Sequence, residues 1–528
     1  MTENIEIVKE LLIKKDFFKA EQVLNAMYLK GDRHYLTLQL LGHSLLFQQK
    51  YEKAIETYLQ IPKAYQIWEI YLNLAHCYLK LQEYQKCIIY CEKAIEAQPT
   101  KFEPYINLSE CYLRQHQYEE AYHYARKYIE LKDNIKQVTD IDFMDTYLNV
   151  LLALNKEEEY KNTAFIFLEN NYNAVVLGHL IQKDTSLISK EYLQQALDEI
   201  ETEKNYSSTV DKSKSLVDYA FALGKFYEKK DIELFEKYIR LGNEYASNLQ
   251  RYNPFVRQKH ISKVVDYFKK TKEVQYPSIP PTKGSKCIFI IGMPRSGTSL
   301  LENILTTENV FPGDERIFFN TKLSPIINDS EFEKLDENFM VELGDGYLDH
   351  IKESTVESNF FIDKMPGNYQ FMGFIKRALP ASKVIYIHRN PWDNATSLFK
   401  ESYVTRQAFS SKFFSIAMEY AGHEALMDFW KEFFQKDKNS IFDIRYENLV
   451  QETNTIANQL WKFIGLEGEY SETKKNNRYM SFTASKFQVR QSVHQTSIKK
   501  SIFIDEKAQF EADLEQQRDY WNKKLKFN

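Results

Sequence analysis

Cysteine is scarce in this 528-residue sequence, and its five thiols have no paired arrangement: Cys77, Cys87, Cys91, Cys111 and Cys287. Cys87 and Cys91 stand one helical turn apart, but no local His/Cys pair completes a zinc site, so no metal is expected. Without a disulfide framework, small buried thiols in a reducing compartment are the reading. Long hydrophobic runs are also missing. None approaches the length of a membrane-spanning helix, and the charged opening Met-Thr-Glu-Asn-Ile-Glu lacks a signal-peptide pattern. A cytoplasmic protein with no membrane partner is therefore expected. Nor is there an excess of charge of one sign: a net −5 gives no electrostatic case for nucleic acid as a partner.

What the chain does have is length for two or three domains and a hydrophobic content of 43%, enough for packed cores. Its first half is self-similar. Leu74, Ala75, Cys77, Tyr78, Tyr84, Cys87 and Cys91 recur 34 positions later as Leu108, Ser109, Cys111, Tyr112, Tyr118, Ala121 and Ala125. One unit earlier stand Leu41, Gly42, Ser44, Leu45, Tyr51, Ala54 and Tyr58. Large, small and aromatic residues at fixed slots of such a period are the tetratricopeptide (TPR) pattern. Small residues at Gly42, Ala54, Ala75, Ser109 and Ala121 let paired helices approach closely. The repeat loosens through Asp133–Asp142, a longer connection, and a further helix pair is expected around Tyr147–Leu168. A degenerate repeat spans Leu216–Ala246. The array either shields and positions the second half or offers a peptide-binding groove; both readings stand. Pro277, Pro280, Pro281 and Gly284 end it. The expected organisation is a helical repeat domain over 1–270, a linker over 271–284 and an α/β domain over 285–528.

That α/β domain opens on Lys-Cys-Ile-Phe-Ile-Ile-Gly-Met-Pro-Arg-Ser-Gly-Thr-Ser-Leu-Leu, from Lys286. An apolar strand runs into a loop carrying Gly292 and Gly297, and Leu300–Leu305 resumes with helical spacing. Strand, loop and helix N-terminus form a phosphate cradle. The glycine spacing fits the first half of a P-loop, but the lysine of that motif is missing. Thr298 stands in its place, and the nearest cation, Arg295, lies inside the loop. Lysine and a Mg²⁺-binding hydroxyl serve a β/γ-phosphate pair. Arginine and hydroxyls instead suit a nucleotide with one 5′ phosphate and a further anionic group beyond it. A P-loop kinase-like enzyme remains the alternative, as does a repeat scaffold with a degenerate second half.

Further along, Phe311-Pro312-Gly313-Asp314-Glu315-Arg316 makes a turn followed by two acids and an arginine. Glu315 is a credible general base there, with Asp314 as its rival. Phe360–Pro366 reads as a short strand ending in a lysine and a proline, with Lys364 at the edge where α/β ligands bind. Lys364 could stabilise negative charge developing on a leaving oxygen. Val384–His388 is a second strand, ending at Arg389, and Ser397 follows eight residues later: a forked cation and a hydroxyl suited to a phosphate. Strand alternation turns His388 away from Arg389, towards packing. Ile441–Ile444 is another strand before Arg445-Tyr446-Glu447-Asn448, Thr455–Ile464 is an amphipathic helix, and a charged helix over 506–523 follows the polar stretch around Ser485 and Lys500.

Together these stretches resemble the TPR-containing sulfotransferases of bacteria, and the second half is similar to tyrosylprotein sulfotransferases. The carrying motifs are Gly-Met-Pro-Arg-Ser-Gly-Thr-Ser, Asp-Lys-Met-Pro, the Arg389/Ser397 pair, Arg-Tyr-Glu-Asn-Leu-Val and Thr-Ala-Ser-x-x-Gln-Val-Arg-Gln. The resemblance implies an N-terminal α-helical TPR solenoid followed by a P-loop-like α/β sulfotransferase domain with a parallel sheet. It also implies transfer of a sulfuryl group from 3′-phosphoadenosine 5′-phosphosulfate (PAPS) to an acceptor hydroxyl, with no metal. Peptide or protein tyrosines are among the acceptors it suggests; saccharide, lipid and small-molecule hydroxyls stay open. By the same resemblance, Arg295, Ser296, Gly297, Thr298 and Ser299 bind the 5′-phosphosulfate, and Glu315 is the catalytic base. Lys364 and Ser485 stabilise the transition state with Arg295, Arg389 and Ser397 hold the 3′-phosphate, Tyr446 lines the adenosine site, and Lys500 closes over the donor. Three positions depart from the family pattern. Ser492 replaces a proline, Ser501 an aromatic, and Glu401 an arginine of the animal enzymes, which removes one donor contact.

Overall fold

The computed structural model describes residues 2–204, 210–352, 358–402, 407–435, 441–470 and 502–525. The chain divides into two compact units, Met1–Asn171 and Tyr172–Asn528.

The described part of the first unit is all helical, running as five hairpins from Thr2–Ile13 and Phe17–Leu29 to Ile141–Ala153 and Glu157–Asn170. Each hairpin turns through a non-glycine residue at positive φ: Lys15 (57°), Gln49 (61°), Gln82 (61°), His116 (59°) and Asn155 (55°). The backbone hydrogen bonds repeat too. Gln82 N–H donates to Leu79 C=O at 3.0 Å and Glu83 N–H to Tyr78 C=O at 2.9 Å; one period on, His116 bonds Leu113 at 3.1 Å and Gln117 bonds Tyr112 at 2.9 Å. These left-handed caps satisfy the last helix carbonyls, and the strain, roughly 1–2 kcal/mol per residue, is accepted at the same slot in every hairpin. The small residues act as expected. A methyl at Gly42 would lie 2.6 Å from the Tyr58 ring, and Ser109 Oγ donates to Ala121 C=O at 2.9 Å across a hairpin. Cys77, Cys87, Cys91 and Cys111 are buried in the same core as Leu41, Leu74 and Leu108.

The second unit begins with the helices Ala174–Lys183, Lys190–Lys204, Val210–Tyr227, Ile232–Leu249 and Pro254–Lys270, and continues into a five-stranded sheet. Its strands are β1 (Cys287–Gly292), β2 (Val310–Pro312), β3 (Phe360–Asp363), β4 (Lys383–His388) and β5 (Ile441–Arg445). They are all parallel, in the order β2-β3-β1-β4-β5. β1 is fully buried, as a central parallel strand covered on both faces must be. Strand alternation divides its side chains: Cys287, Phe289 and Ile291 join one core, Ile288 and Ile290 the other. The short strand β2, hidden in a stretch that reads as a turn in the sequence, pairs Phe311 with Phe361.

The boundary expected at 271–284 separates helical from α/β secondary structure, but it does not separate two compact units. Val217, Phe221, Phe235, Ile239, Val264 and Phe268 share one core with Phe289 and Phe361. The expected linker is itself packed: Ile279 lies in that core, and Lys283 Nζ bonds Val341 C=O at 3.1 Å and Asp345 at 2.7 Å. Helical amphipathicity reports that a helix has a buried face and is silent about which element covers it.

Candidate functional site

Parallel strands put all their carboxyl ends at one edge of the sheet, the edge where α/β folds bind ligands. Each described residue singled out above follows from that rule. Arg295–Ser299 succeed β1, Glu315 succeeds β2, Lys364 follows β3, Arg389 follows β4 with Ser397 on the next helix, and Tyr446 follows β5. Ser485, Lys500, Ser492 and Ser501 lie outside the described residues.

The loop after β1 is shaped by two left-handed residues. Arg295 has φ 68° and Gly297 φ 107°. Gly297 is the cap of the helix Thr298–Leu305, and a methyl there would come within 2.5 Å of the Tyr446 ring. Glycine is thus needed both for the turn and for the approach of that ring. Ser296 is fully buried, and its Oγ has no hydrogen-bond partner among the described residues. A buried hydroxyl left in this state at a helix N-terminus suits an incoming anion.

Arg389, 9% exposed, stacks its guanidinium 4.6 Å from the centre of the Tyr446 ring. Its Nη1 donates to Arg295 C=O at 3.5 Å, and its own carbonyl accepts from Tyr420 Oη. Burial pushes the Arg389 pKa down, and Tyr446 and Asp393 oppose that. Arg295 Nε donates to Ser397 Oγ at 3.2 Å, so the loop arginine and the Arg389/Ser397 pair form one cationic group.

The second group surrounds Lys364, which is fully buried. Its Nζ lies 2.7 Å from Asp314, 3.5 Å from Glu315 and 3.8 Å from Glu302. Burial opposes the charge on Lys364, but these three carboxylates outweigh it and raise the pKa. Asp314 sits at φ 56° and takes the closest position to the lysine. Glu315 is the more open acid, with 30% of its side chain exposed against 14% for Asp314. Behind Lys364, Asp363 accepts from Tyr347 Oη at 3.0 Å, and burial pushes its carboxyl up to about 7. His388 Nε2 lies 3.0 Å from Asp443.

Two residues of this site escaped the reading of the sequence. Glu302, fully buried on the helix after the loop, accepts from Asp314 N–H at 3.0 Å and so holds the turn that carries both acids. An acid among Leu301, Ile304 and Leu305 on an apolar helix face was the available signal. Asn394 Nδ2 donates to Pro294 C=O at 3.0 Å and braces the loop from the helix Pro391–Phe399. Glu401, expected only to remove a contact, lies 3.4 Å from Arg295 and 2.9 Å from Lys225.

Residues 287–472 match the family model described as "Sulfotransferase family", and residues 68–101 and 90–123 match tetratricopeptide repeat models. The chain thus carries a sulfotransferase-family domain and TPR repeats. An uncharacterised protein of Aquifex aeolicus (strain VF5) is 26% identical over 309 residues, a stretch that spans 53% of this chain but only 39% of that protein. Among solved structures, the sulfotransferase domain from the curacin biosynthetic pathway is similar at 17% identity, covering 46% of this chain and 97% of its own, with a TM-score of 0.26. Sulfotransferase STF9 from Mycobacterium avium is 11% identical, covering 66% and 96%, with a TM-score of 0.26. A tetratricopeptide repeat protein from Parabacteroides merdae is 17% identical, covering 48% and 93%, with a TM-score of 0.34. Among the described residues, no helix is long and apolar enough to cross a membrane.

Proposed function

We propose that this sulfotransferase-family domain takes PAPS as its donor and moves the sulfuryl group onto an acceptor hydroxyl. The observation that carries the reading is the pairing of two groups at one sheet edge. One is a lysine-free phosphate loop whose Ser296 hydroxyl is buried with no hydrogen-bond partner among the described residues, joined to Arg389 and Ser397. The other is a buried lysine flanked by carboxylates. The first has the cations and hydroxyls to hold two separate phosphates of an adenosine nucleotide, with Tyr446 beside the loop for the adenosine. The second has a base and an acid for the chemistry. Ser485 and Lys500 join this reading through the resemblance alone.

In the proposed step, the Glu315 carboxylate takes the acceptor's hydroxyl proton as its oxygen attacks sulfur. The bond from sulfur to the oxygen bridging it to the 5′-phosphate breaks, and that oxygen leaves with the electron pair on 3′,5′-ADP. Lys364 and Arg295 stabilise the charge arriving on it. A peptide or protein acceptor, tyrosine among its hydroxyls, is the candidate that the TPR repeats support, since such arrays commonly recruit polypeptides. Incubating the protein with ³⁵S-labelled PAPS and cell lysate tests the reading. Label is expected to enter protein; label in glycan or lipid redirects the acceptor, and no transfer at all rejects the donor.

A further inference from the structure

The helical hairpin Val210–Tyr227 and Ile232–Leu249 reaches the cationic group of the site. Lys225 Nζ lies 2.9 Å from Glu401 Oε1, and the same oxygen lies 3.4 Å from Arg295 Nη2. Their side chains are 14%, 10% and 6% exposed, so this is a shielded chain of charges. Nearby, Lys400 pairs with Glu228 at 3.0 Å, and Asn243 Nδ2 donates to Phe399 C=O at 2.6 Å. The hairpin therefore grips the end of the helix that carries Ser397. Burial raises the pKa of Glu401, but Lys225, Arg295 and Lys400 overcome this and lower it. Glu401 is an ionised carboxylate placed beside residues that otherwise favour an anion.

A negative charge at such a place would repel a phosphate unless cations neutralise it. Lys225 does so from the hairpin, leaving Glu401 free to fix the direction of the Arg295 side chain. That side chain leaves a backbone in the left-handed region, and its guanidinium is held between Ser397 and Glu401. We propose that Glu401 and Lys225 are positioning residues for Arg295, and that the hairpin is thereby part of the donor site. The proposal rests on the donor reading above.

Calorimetric titration of the full chain with 3′,5′-ADP tests it, with thermal melts to verify folding. Glu401→Gln and Lys225→Met are each expected to weaken binding roughly ten-fold, the scale on which supporting partners of a ligand-binding group act. Their double variant should be no weaker than either alone, because both break one chain of contacts. Lys225→Arg should restore near-normal binding, which loss of packing alone would not permit. In the transfer assay the KM for PAPS should rise more than kcat falls. Tighter binding by Glu401→Gln would overturn the proposal, since the carboxylate would then only repel. Unchanged binding in both single variants, beside loss of binding in an Arg295→Ala control, would overturn it and leave the donor reading intact. If Lys225→Met fails to fold, the near-isosteric Glu401→Gln decides the case. Failure of the parent protein to bind 3′,5′-ADP would remove the donor reading and this proposal with it.

Discussion

The hairpins of the first unit and the hairpin at 210–249 are built on one theme and serve two structures. In both, a small residue lies where two helices cross: a methyl at Gly42 would meet the Tyr58 ring at 2.6 Å, and one at Gly242 the Phe221 ring at 2.7 Å. The repeat hairpins use helices of 9–14 residues and close through a left-handed residue. The hairpin at 210–249 uses two helices of 18 residues, and its turn is closed by Asp231, whose side chain accepts from Glu233 and Leu234 N–H. The first kind packs into a core of repeats; the second joins the core of the sheet. A close helix crossing is a local property. What covers the outer face of the pair is decided elsewhere.

Truncation is the severest way to break this comparison. Deleting residues 1–171 should leave a cooperatively melting chain that still binds 3′,5′-ADP. Deleting residues 1–270 also removes Val217, Phe221, Phe235, Ile239, Val264 and Phe268 from the core around Phe289. Loss of even one buried phenylalanine costs about 3–5 kcal/mol, so that shorter chain should show no cooperative unfolding by calorimetry. Glu315→Gln separates chemistry from scaffold. Transfer should fall by about 10²–10⁴-fold, while 3′,5′-ADP binding and the melting curve stay as in the parent. Full residual transfer would reject Glu315 as the base.

A milder pair of changes sharpens the contrast. Gly42→Ala and Gly242→Ala should each destabilise by about 1–3 kcal/mol through overpacking. Only Gly242→Ala should also weaken 3′,5′-ADP binding, because only its hairpin reaches Glu401 and Phe399. The last effect concerns pH. Burial lifts Asp363 from 3.8 to about 7, so the folded protein binds a proton there that the unfolded chain releases. The associated stability is fully present below about pH 4 and is lost as pH rises through 7. Urea titrations from pH 4 to 8 should show this slope, and Asp363→Asn should remove it.

Much of the site could be read from residues in order because its pieces are local. An apolar run followed by glycines gives β1 and its loop, and strand-end residues such as Lys364 and Arg389 follow from position in a parallel sheet. β2 escaped because three residues that end on the proline of a Pro-Gly turn carry no alternation. Glu302 escaped because the partner of a buried acid, here the Asp314 N–H and Lys364, is set by the sheet order β2-β3-β1. Lys225 escaped for the same reason, its partner Glu401 lying 176 residues further along the chain.

The sequence by itself determined the repeat period, the small residues at the helix crossings, the strand–loop–helix cradle without its lysine and the identity of the acids and cations after each strand. These rest on backbone preference and side-chain periodicity, which act over a few residues. Only the tertiary structure decided that the helices at 210–270 belong with the sheet, that Glu302 steadies the two acids and that Glu401 faces Arg295 and Lys225. Burial and charge pairing settle such matters, and both depend on which distant segments the fold brings within a few ångströms.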